Sequence, residues 1–149
     1  RRRDRPPGHR DRPPVVVDRI RRHVQGDPRV SLLGFVPDER LADFYASLDV
    51  FALPSVNAFE AFGIVQVVAM LSGVPVVASD LPGVRTVVAE TGFGTVVPPG
   101  DVGALTAALA RLRDAPPDAT AGRAAAARRF SVDATLDAFE IVLTKAAAR

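Results

Sequence analysis

Short apolar runs alternate with amphipathic stretches along most of this 149-residue chain. Four runs rich in Val, Leu and Phe predict strands, and the wholly apolar runs at 50–53 and 74–78 are typical of strands that are covered on both faces of a sheet. Apolar positions at helical spacing predict the helices around them. The predicted strands are 30–35, 50–53, 74–78 and 95–97, and the predicted helices are 15–24, one that starts at 37–38, 63–72, 84–90, 102–113, 119–129 and 132–148. Strands that alternate with helices favour an α/β fold with a parallel sheet and flanking helices.

Capping residues and burial patterns sharpen the helix predictions. Asp38 and Asp101 are the predicted N-caps of the second helix and of helix 102–113. Helix 63–72 is apolar nearly all round, so we expect it to be deeply buried. The second helix has four residues on its predicted buried face, Leu41, Phe44, Tyr45 and Leu48.

Charge is distributed unevenly along the chain, although the formal net charge is only +2. Residues 1–29 hold 10 Arg and 4 Asp, whereas residues 30–149 hold 9 basic and 13 acidic side chains. Residues 1–14 are almost free of apolar side chains and contain four Pro, which predicts a disordered Arg/Pro-rich arm before a folded part at 15–149. No aromatic residue in the arm can stack on bases, so a solvated tail is favoured over a nucleic-acid-binding segment.

The residue inventory excludes several chemistries. The chain has no Cys, so it has no disulfide framework and no thiolate nucleophile or ligand. His9 and His23 have no partners at metal-ligand spacing, so no metal site is expected. No apolar run approaches the length of a transmembrane helix, and no signal-peptide pattern is present. The predicted location is cytoplasmic, with peripheral membrane attachment of the intact protein left open.

The segment 53–80 carries the clearest chemical signal. The strand that ends at Leu53 opens into a loop at the carboxyl edge of the predicted sheet, where α/β proteins bind ligands. The next helix begins with Gly63, Ile64 and Val65, whose free N–H groups suit an anion, and Glu60 before it suits sugar hydroxyls. A phosphate-linked sugar is one interpretation. The other is that a glycine simply starts the helix and Glu60 simply favours its dipole.

Five motifs in the same order resemble the C-terminal donor-binding domain of retaining glycosyltransferases with two Rossmann-like domains, the GT-B architecture, and in particular family four. The motifs are LLGFV at 32–36, DVFALPS at 49–55, EAFGIVQ at 60–66, GVPVVASD at 73–80 and VVPPGD at 96–101. The resemblance implies a Rossmann-like sheet, transfer of a hexose from a nucleotide-diphosphate sugar, and an acceptor substrate. It implies no cofactor besides the donor.

The resemblance also implies roles for individual residues. Glu60 matches the first glutamate of the family signature E-x7-E, which contacts the transferred sugar, and is the expected catalytic residue. The diphosphate is expected on the backbone of four residues, Phe62, Gly63, Ile64 and Val65. Phe35 and Val36 match the place where the nucleotide base packs. Ser55 and Asn57 line the loop that leads to Glu60, and Ser55 is an expected donor-binding residue. An ordinary role in a turn is equally consistent with both residues.

The chain departs from the family pattern at position 68. The second signature glutamate, which grips the donor ribose, is replaced by Val68. Loss of a hydrogen bond between a carboxylate and a hydroxyl removes roughly 1.5–3 kcal/mol of binding free energy. We therefore expect the donor affinity to be reduced.

A second departure concerns the missing part of the sheet. The resemblance makes 30–35 the third strand of six, and no strand pattern lies upstream for the first two. Between residues 30 and 100 only Arg40 and Arg85 oppose seven acidic side chains, which disfavours a diphosphate. These points predict a truncated donor domain that has little activity alone. The alternatives are a degenerate domain that binds another chain, which supplies the missing strands, and a nucleic-acid-binding protein.

Overall fold

The computed structural model describes residues 15–57 and 59–147, which fall into two compact units. One unit ends at Val36 and the other begins at Pro37. The predicted arm at 1–14 lies outside the described residues.

The first unit contains helix α1 (Val15–Val24), with the bounds predicted from the sequence. The predicted strand at 30–35 is wrong, because no strand forms there. Gly34 has φ +70, a left-handed conformation that interrupts extended backbone. Leu33 and Phe35 are exposed, as expected for a segment without a neighbouring strand to cover it.

The second unit consists of three short strands and six helices in the described part of the chain. They are α2 (Asp38–Ala46), β1 (Phe51–Leu53), α3 (Ile64–Leu71), β2 (Val76–Ser79), α4 (Val84–Thr91), β3 (Gly94–Val97), α5 (Val102–Asp114), α6 (Ala119–Phe130) and α7 (Val132–Ala147). The strands pair in parallel in the order β1-β2-β3, with Phe51 opposite Val76 and Val76 opposite Gly94. The predicted α/β class with a parallel sheet and flanking helices is confirmed.

The core lies on both faces of the sheet, because successive side chains of a strand point to opposite sides. Val76 and Ala78 of β2 face a cluster that includes Met70 of α3, Val87 of α4 and Phe93. Most of the remaining buried positions of that cluster come from α2, α3, α4 and α6, and include Tyr45, Val67, Val84 and Ala126. Val77 of β2 faces the opposite cluster, which α5 completes with Ala108 and Leu112.

Two helix details differ from the sequence predictions. Asp38 is the first residue of α2, and Pro37 occupies the N-cap position without a side-chain hydrogen bond. Helix α3 is only partly buried, because Ile64, Val68 and Leu71 are exposed along one side. Neighbouring elements cover the other faces of α3. Because the helix is apolar nearly all round, its sequence does not show which side stays uncovered. The predicted N-cap at Asp101 is confirmed: its side chain accepts the Ala104 N–H at 2.8 Å.

Candidate functional site

The three strands end at a common edge, as parallel strands must. β1 ends at Leu53, β2 at Ser79 and β3 at Val97. A cavity of about 180 Å³ opens there, lined by Pro54, Ser79, Val97 and the start of α5. The described loop residues 54–57 and 59–63 connect this edge to the first turn of α3. In open α/β sheets, this is the edge where ligands bind.

Glu60 and Gly63 meet at the start of α3. The Gly63 N–H donates to Glu60 Oε1 at 2.9 Å, so a carboxylate oxygen lies on the positive end of this helix. Gly63 is buried and has φ +73 at the N-cap. A Cβ at this position would lie 2.5 Å from Leu53 Cδ2 and 2.7 Å from Gln66 Nε2. The left-handed backbone conformation therefore favours glycine, and a larger residue would also displace the ends of the Leu53 and Gln66 side chains.

Ile64 and Val65 supply the next two N–H groups of the helix. Backbone N–H groups in the first turn of a helix have no partner within it. The Ile64 side chain is 69% exposed, so this end of α3 is accessible. The three residues whose backbone is expected to bind the diphosphate therefore lie together at the start of α3: Gly63, Ile64 and Val65.

Phe62 anchors the loop to the rest of the second unit. Its ring packs edge-on against Phe130 at the end of α6, with ring centroids 5.8 Å apart. Its carbonyl accepts a hydrogen bond of 3.1 Å from Gln66 Nε2. On the opposite side Gly83 packs so closely against the Ala61 carbonyl that a Cβ there would overlap it. The loop is therefore held by side-chain and backbone contacts from three helices and their connections.

Ser55 and Asn57 lie in the same loop. Asn57 Oδ1 accepts the Phe59 N–H at 3.2 Å, which is the hydrogen bond of a local Asx turn. Asn57 is exposed and Ser55 is half-buried. The structure therefore gives Asn57 a local role in the turn.

Val68 lies on the exposed side of α3, one turn after Ile64, and its side chain is 39% exposed. It offers no polar atom at the position where the family signature has a carboxylate. Phe35 and Val36 belong to the first unit, in which Phe35 is 83% exposed. Their expected contact with a nucleotide base remains a prediction.

The two basic side chains between residues 30 and 100 are both in exposed ion pairs. Arg85 Nη1 lies 2.7 Å from Asp80 Oδ1, and Arg40 Nε lies 3.5 Å from Asp43 Oδ2. Pairs of this kind contribute little to stability. They nevertheless direct both guanidinium groups to carboxylates, so backbone N–H groups are the main candidates for binding an anion at this site.

Sequence reasoning singled out Glu60, Phe62 and the start of α3, and missed Gln66 and Gly83. A glutamine in an otherwise apolar helix was the available signal for Gln66. Gly83 stands directly before a predicted helix, where glycine is common, so nothing in the sequence indicated its contact with Ala61.

Residues 15–57 and 59–147 hold neither a metal-binding cluster nor a membrane-spanning helix. No group of three or more His, Asp or Glu side chains lies close enough together to hold a metal ion. No helix in that part of the chain has the length and apolar character needed to cross a membrane.

A parallel α/β sheet with a glutamate and a glycine-started helix at its carboxyl edge is the arrangement expected of a Rossmann-like glycosyltransferase domain. The chain belongs to the family described as "Glycosyl transferases group 1", whose sequence model matches residues 8–114. This match confirms the resemblance inferred from the five motifs.

Curated relatives of the chain are glycosyltransferases. A phosphatidyl-myo-inositol mannosyltransferase of Mycobacterium leprae is 45% identical over 83 residues, which cover 56% of this chain and 22% of that protein. A D-inositol 3-phosphate glycosyltransferase 2 of Catenulispora acidiphila is 37% identical over 103 residues, which cover 69% of this chain and 24% of that protein. The chain thus spans about a quarter of the length of these relatives.

A solved structure supports the same fold. Sucrose-phosphate synthase from Thermosynechococcus elongatus superposes with a TM-score of 0.71 and 29% sequence identity. The superposition covers 89% of this chain and 34% of the synthase. The Rossmann-like GT-B assignment is therefore confirmed by structure as well as by sequence.

Proposed function

We propose that this chain is the donor-binding part of a retaining hexosyltransferase that uses a nucleotide-diphosphate sugar. The observation that carries the proposal is the hydrogen bond from the Gly63 N–H to the Glu60 carboxylate. An anionic oxygen already occupies the start of α3, so this helix end is suited to an anion. Membership of a glycosyltransferase family supports a donor diphosphate as the anion and a sugar acceptor as the second substrate.

Donor binding redistributes these contacts. A diphosphate oxygen takes the N–H of Gly63, and the N–H groups of Ile64 and Val65 face the remaining phosphate oxygens. Glu60, displaced from the helix end, accepts hydrogen bonds from hydroxyl groups of the sugar. During transfer the bond between the sugar and the diphosphate breaks, and the positive helix end stabilises the charge that develops on the departing diphosphate.

Val68 and the acidic surroundings predict weak donor binding. Val68 offers the ribose no hydrogen-bond acceptor, and both arginines between residues 30 and 100 are paired with aspartates. The matched residues make up 22–24% of the length of these relatives, and the remaining length is the natural source of the acceptor-binding region. We therefore expect nucleotide binding from this chain and little transfer activity.

Calorimetric titration with nucleoside diphosphates tests the proposal. Replacement of Val68 by glutamate should tighten binding roughly ten- to a hundredfold, because it restores a hydroxyl acceptor on the exposed side of α3. Leu71→Glu is the matched control, since Leu71 is 41% exposed on the same side of the helix. It adds the same charge one turn further from the helix start and should not tighten binding.

The titration also distinguishes the alternatives. Equal affinities for Val68→Glu and Leu71→Glu would argue against the donor site. An absence of heat with every nucleotide would favour a degenerate domain that binds another chain. A salt-dependent response to DNA would instead favour a nucleic-acid-binding protein.

A further inference from the structure

Gln66 is a buried polar side chain in an apolar helix. In the described part of the chain, Gln66 and Ser79 are the buried polar residues, and Gln66 is fully buried. Burial of an amide is unfavourable unless hydrogen bonds replace those it made with water. The contacts of Gln66 therefore indicate why an amide is present at this position.

The Gln66 amide joins three segments. Its Nε2 donates to the Phe62 carbonyl at 3.1 Å and to the Val84 carbonyl at 3.0 Å. Phe62 ends the loop that carries Glu60, and Val84 is the first residue of α4. Both acceptors are carbonyl oxygens, so only the nitrogen end of the amide can face them. Gln66 Oε1 is buried without a hydrogen-bond partner among the described residues, so the donor side alone holds the amide.

One rigid peptide unit links Gln66 to the anion-binding position. The Phe62 carbonyl and the Gly63 N–H belong to the same planar peptide group, and they point in opposite directions. Gln66 Nε2 binds the oxygen of this group, and Glu60 Oε1 binds its N–H. A side chain that fixes the Phe62 oxygen therefore also fixes the direction of the Gly63 N–H.

The orientation of this peptide group needs a restraint because the residue that follows its carbonyl is glycine. Gly63 has φ +73, and a glycine allows backbone conformations that other residues do not. Without the bond from Gln66, rotation of the peptide group would turn the Gly63 N–H away from the ligand. The close contact of Gly83 with the Ala61 carbonyl restrains the preceding peptide. This peptide is held by Glu60 and Gln66, and of these two bonds only the one from Gln66 remains once a ligand displaces Glu60.

We propose that Gln66 is a positioning residue, which aims the Gly63 N–H at the donor diphosphate through the Phe62–Gly63 peptide group. The inference rests on the proposed function, because it assigns the diphosphate to this N–H. Gln66 itself touches no substrate. It determines instead how well the start of α3 is organised for an anion before the ligand arrives.

Hydrogen exchange and nucleotide affinity test this role together. Gln66→Met keeps the length and apolar volume of the side chain and removes both donated bonds. The Gly63 amide hydrogen should exchange on the order of tenfold faster in this variant, and the nucleoside diphosphate affinity should fall by a similar factor. Gln66→Glu places a carboxylate oxygen against two carbonyls and should act in the same direction.

Thr91→Val is the matched control. Thr91 Oγ1 donates to the Val87 carbonyl at 2.8 Å and contacts Met70 Sδ at 3.4 Å. It thus joins the same two helices, α3 and α4, at the end remote from the loop. The control should lower the unfolding temperature while the Gly63 exchange rate and the nucleotide affinity stay within about twofold of wild type.

A measurement on the unaltered chain covers the case in which the Gln66 variants do not fold. The chain has two glutamines, Gln25 and Gln66, and Gln25 is exposed. The side-chain amide hydrogens of Gln66 should exchange far more slowly than those of Gln25. Equal exchange rates would overturn the proposal.

The outcomes separate this inference from the proposed function. Faster Gly63 exchange together with weaker nucleotide binding in Gln66→Met supports both. If the wild type binds nucleotide and Gln66→Met does not weaken this binding, the role of Gln66 is overturned and the proposed function stands. The same holds if the Gly63 exchange rate is unchanged in Gln66→Met. A wild-type chain that binds no nucleoside diphosphate overturns the proposed function, and the inference with it.

Discussion

Gly122 lies on the side of α6 that packs against the ring of Phe93. A Cβ at this position would overlap several atoms of that ring, and both residues are buried. Gly122→Ala should therefore lower the free energy of unfolding by about 1–3 kcal/mol, as overpacked core substitutions do. Urea denaturation of the two proteins measures the difference.

Gly103→Ala is the control for that substitution. Gly103 is in α5, and the atom nearest to a Cβ added at this position would be Asp101 Oδ1, at 3.4 Å. Alanine is the better helix former, so this variant should be neutral or slightly more stable than wild type. A loss of stability as large as that of Gly122→Ala would show that the Phe93 contact is not the cause.

Burial of Tyr45 should make the stability of the fold depend on pH. Burial raises the pKa of the Tyr45 hydroxyl above its ordinary value of 10.0. The unfolded chain therefore loses this proton at a lower pH than the folded chain does, and stability should fall as the pH rises above about 10. Urea denaturation from pH 8 to 11 measures this slope, and Tyr45→Phe should make it shallower. An identical slope in both proteins would exclude Tyr45 as its source.

Site residues were predictable from the sequence where their contacts are with residues nearby in the chain. Glu60 and Gly63 stand three positions apart before an apolar helix, and this spacing lets the side chain reach the N–H. Gln66 and Gly83 were not predictable, because their partners come from segments that only the fold brings together.

At the scale of elements, local patterns predicted the helices better than the strands. Helix α1 and the N-cap of α5 agree with the sequence, since both depend on neighbouring residues. The strand at 30–35 does not form, because a strand needs a partner and Gly34 takes a left-handed conformation. The burial of α3 was overestimated for a related reason, since apolar composition does not show which side another element covers.

The N-cap of α5 gives a prediction at this scale. Asp101→Ala removes the side-chain hydrogen bond to the Ala104 N–H and should destabilise the unit by about 0.5–2 kcal/mol. Thermal unfolding followed by circular dichroism measures the effect. Asp114→Ala, at the exposed last residue of the same helix, should change stability by less than about 0.5 kcal/mol. Equal effects would mean that helix capping is not what Asp101 contributes.

At the scale of the whole molecule, α7 contributes an apolar surface rather than core. None of its described residues is buried, and Leu136, Phe139 and Leu143 are exposed. Phe139→Ala should therefore change the free energy of unfolding by less than about 0.5 kcal/mol. Phe93→Ala, at a buried ring, should lower it by about 3–5 kcal/mol. A large effect of Phe139→Ala in urea denaturation would mean that α7 is covered in solution.

At the same scale, we expect the start of α3 to receive a donor diphosphate. Nuclear magnetic resonance titration with a nucleoside diphosphate tests it most directly, because each backbone amide reports separately. We expect the largest shifts at the amides of Gly63, Ile64 and Val65, together with loss of the hydrogen bond between Gly63 and Glu60. Saturable binding that leaves these three amides unmoved, or no binding at all, would contradict the account.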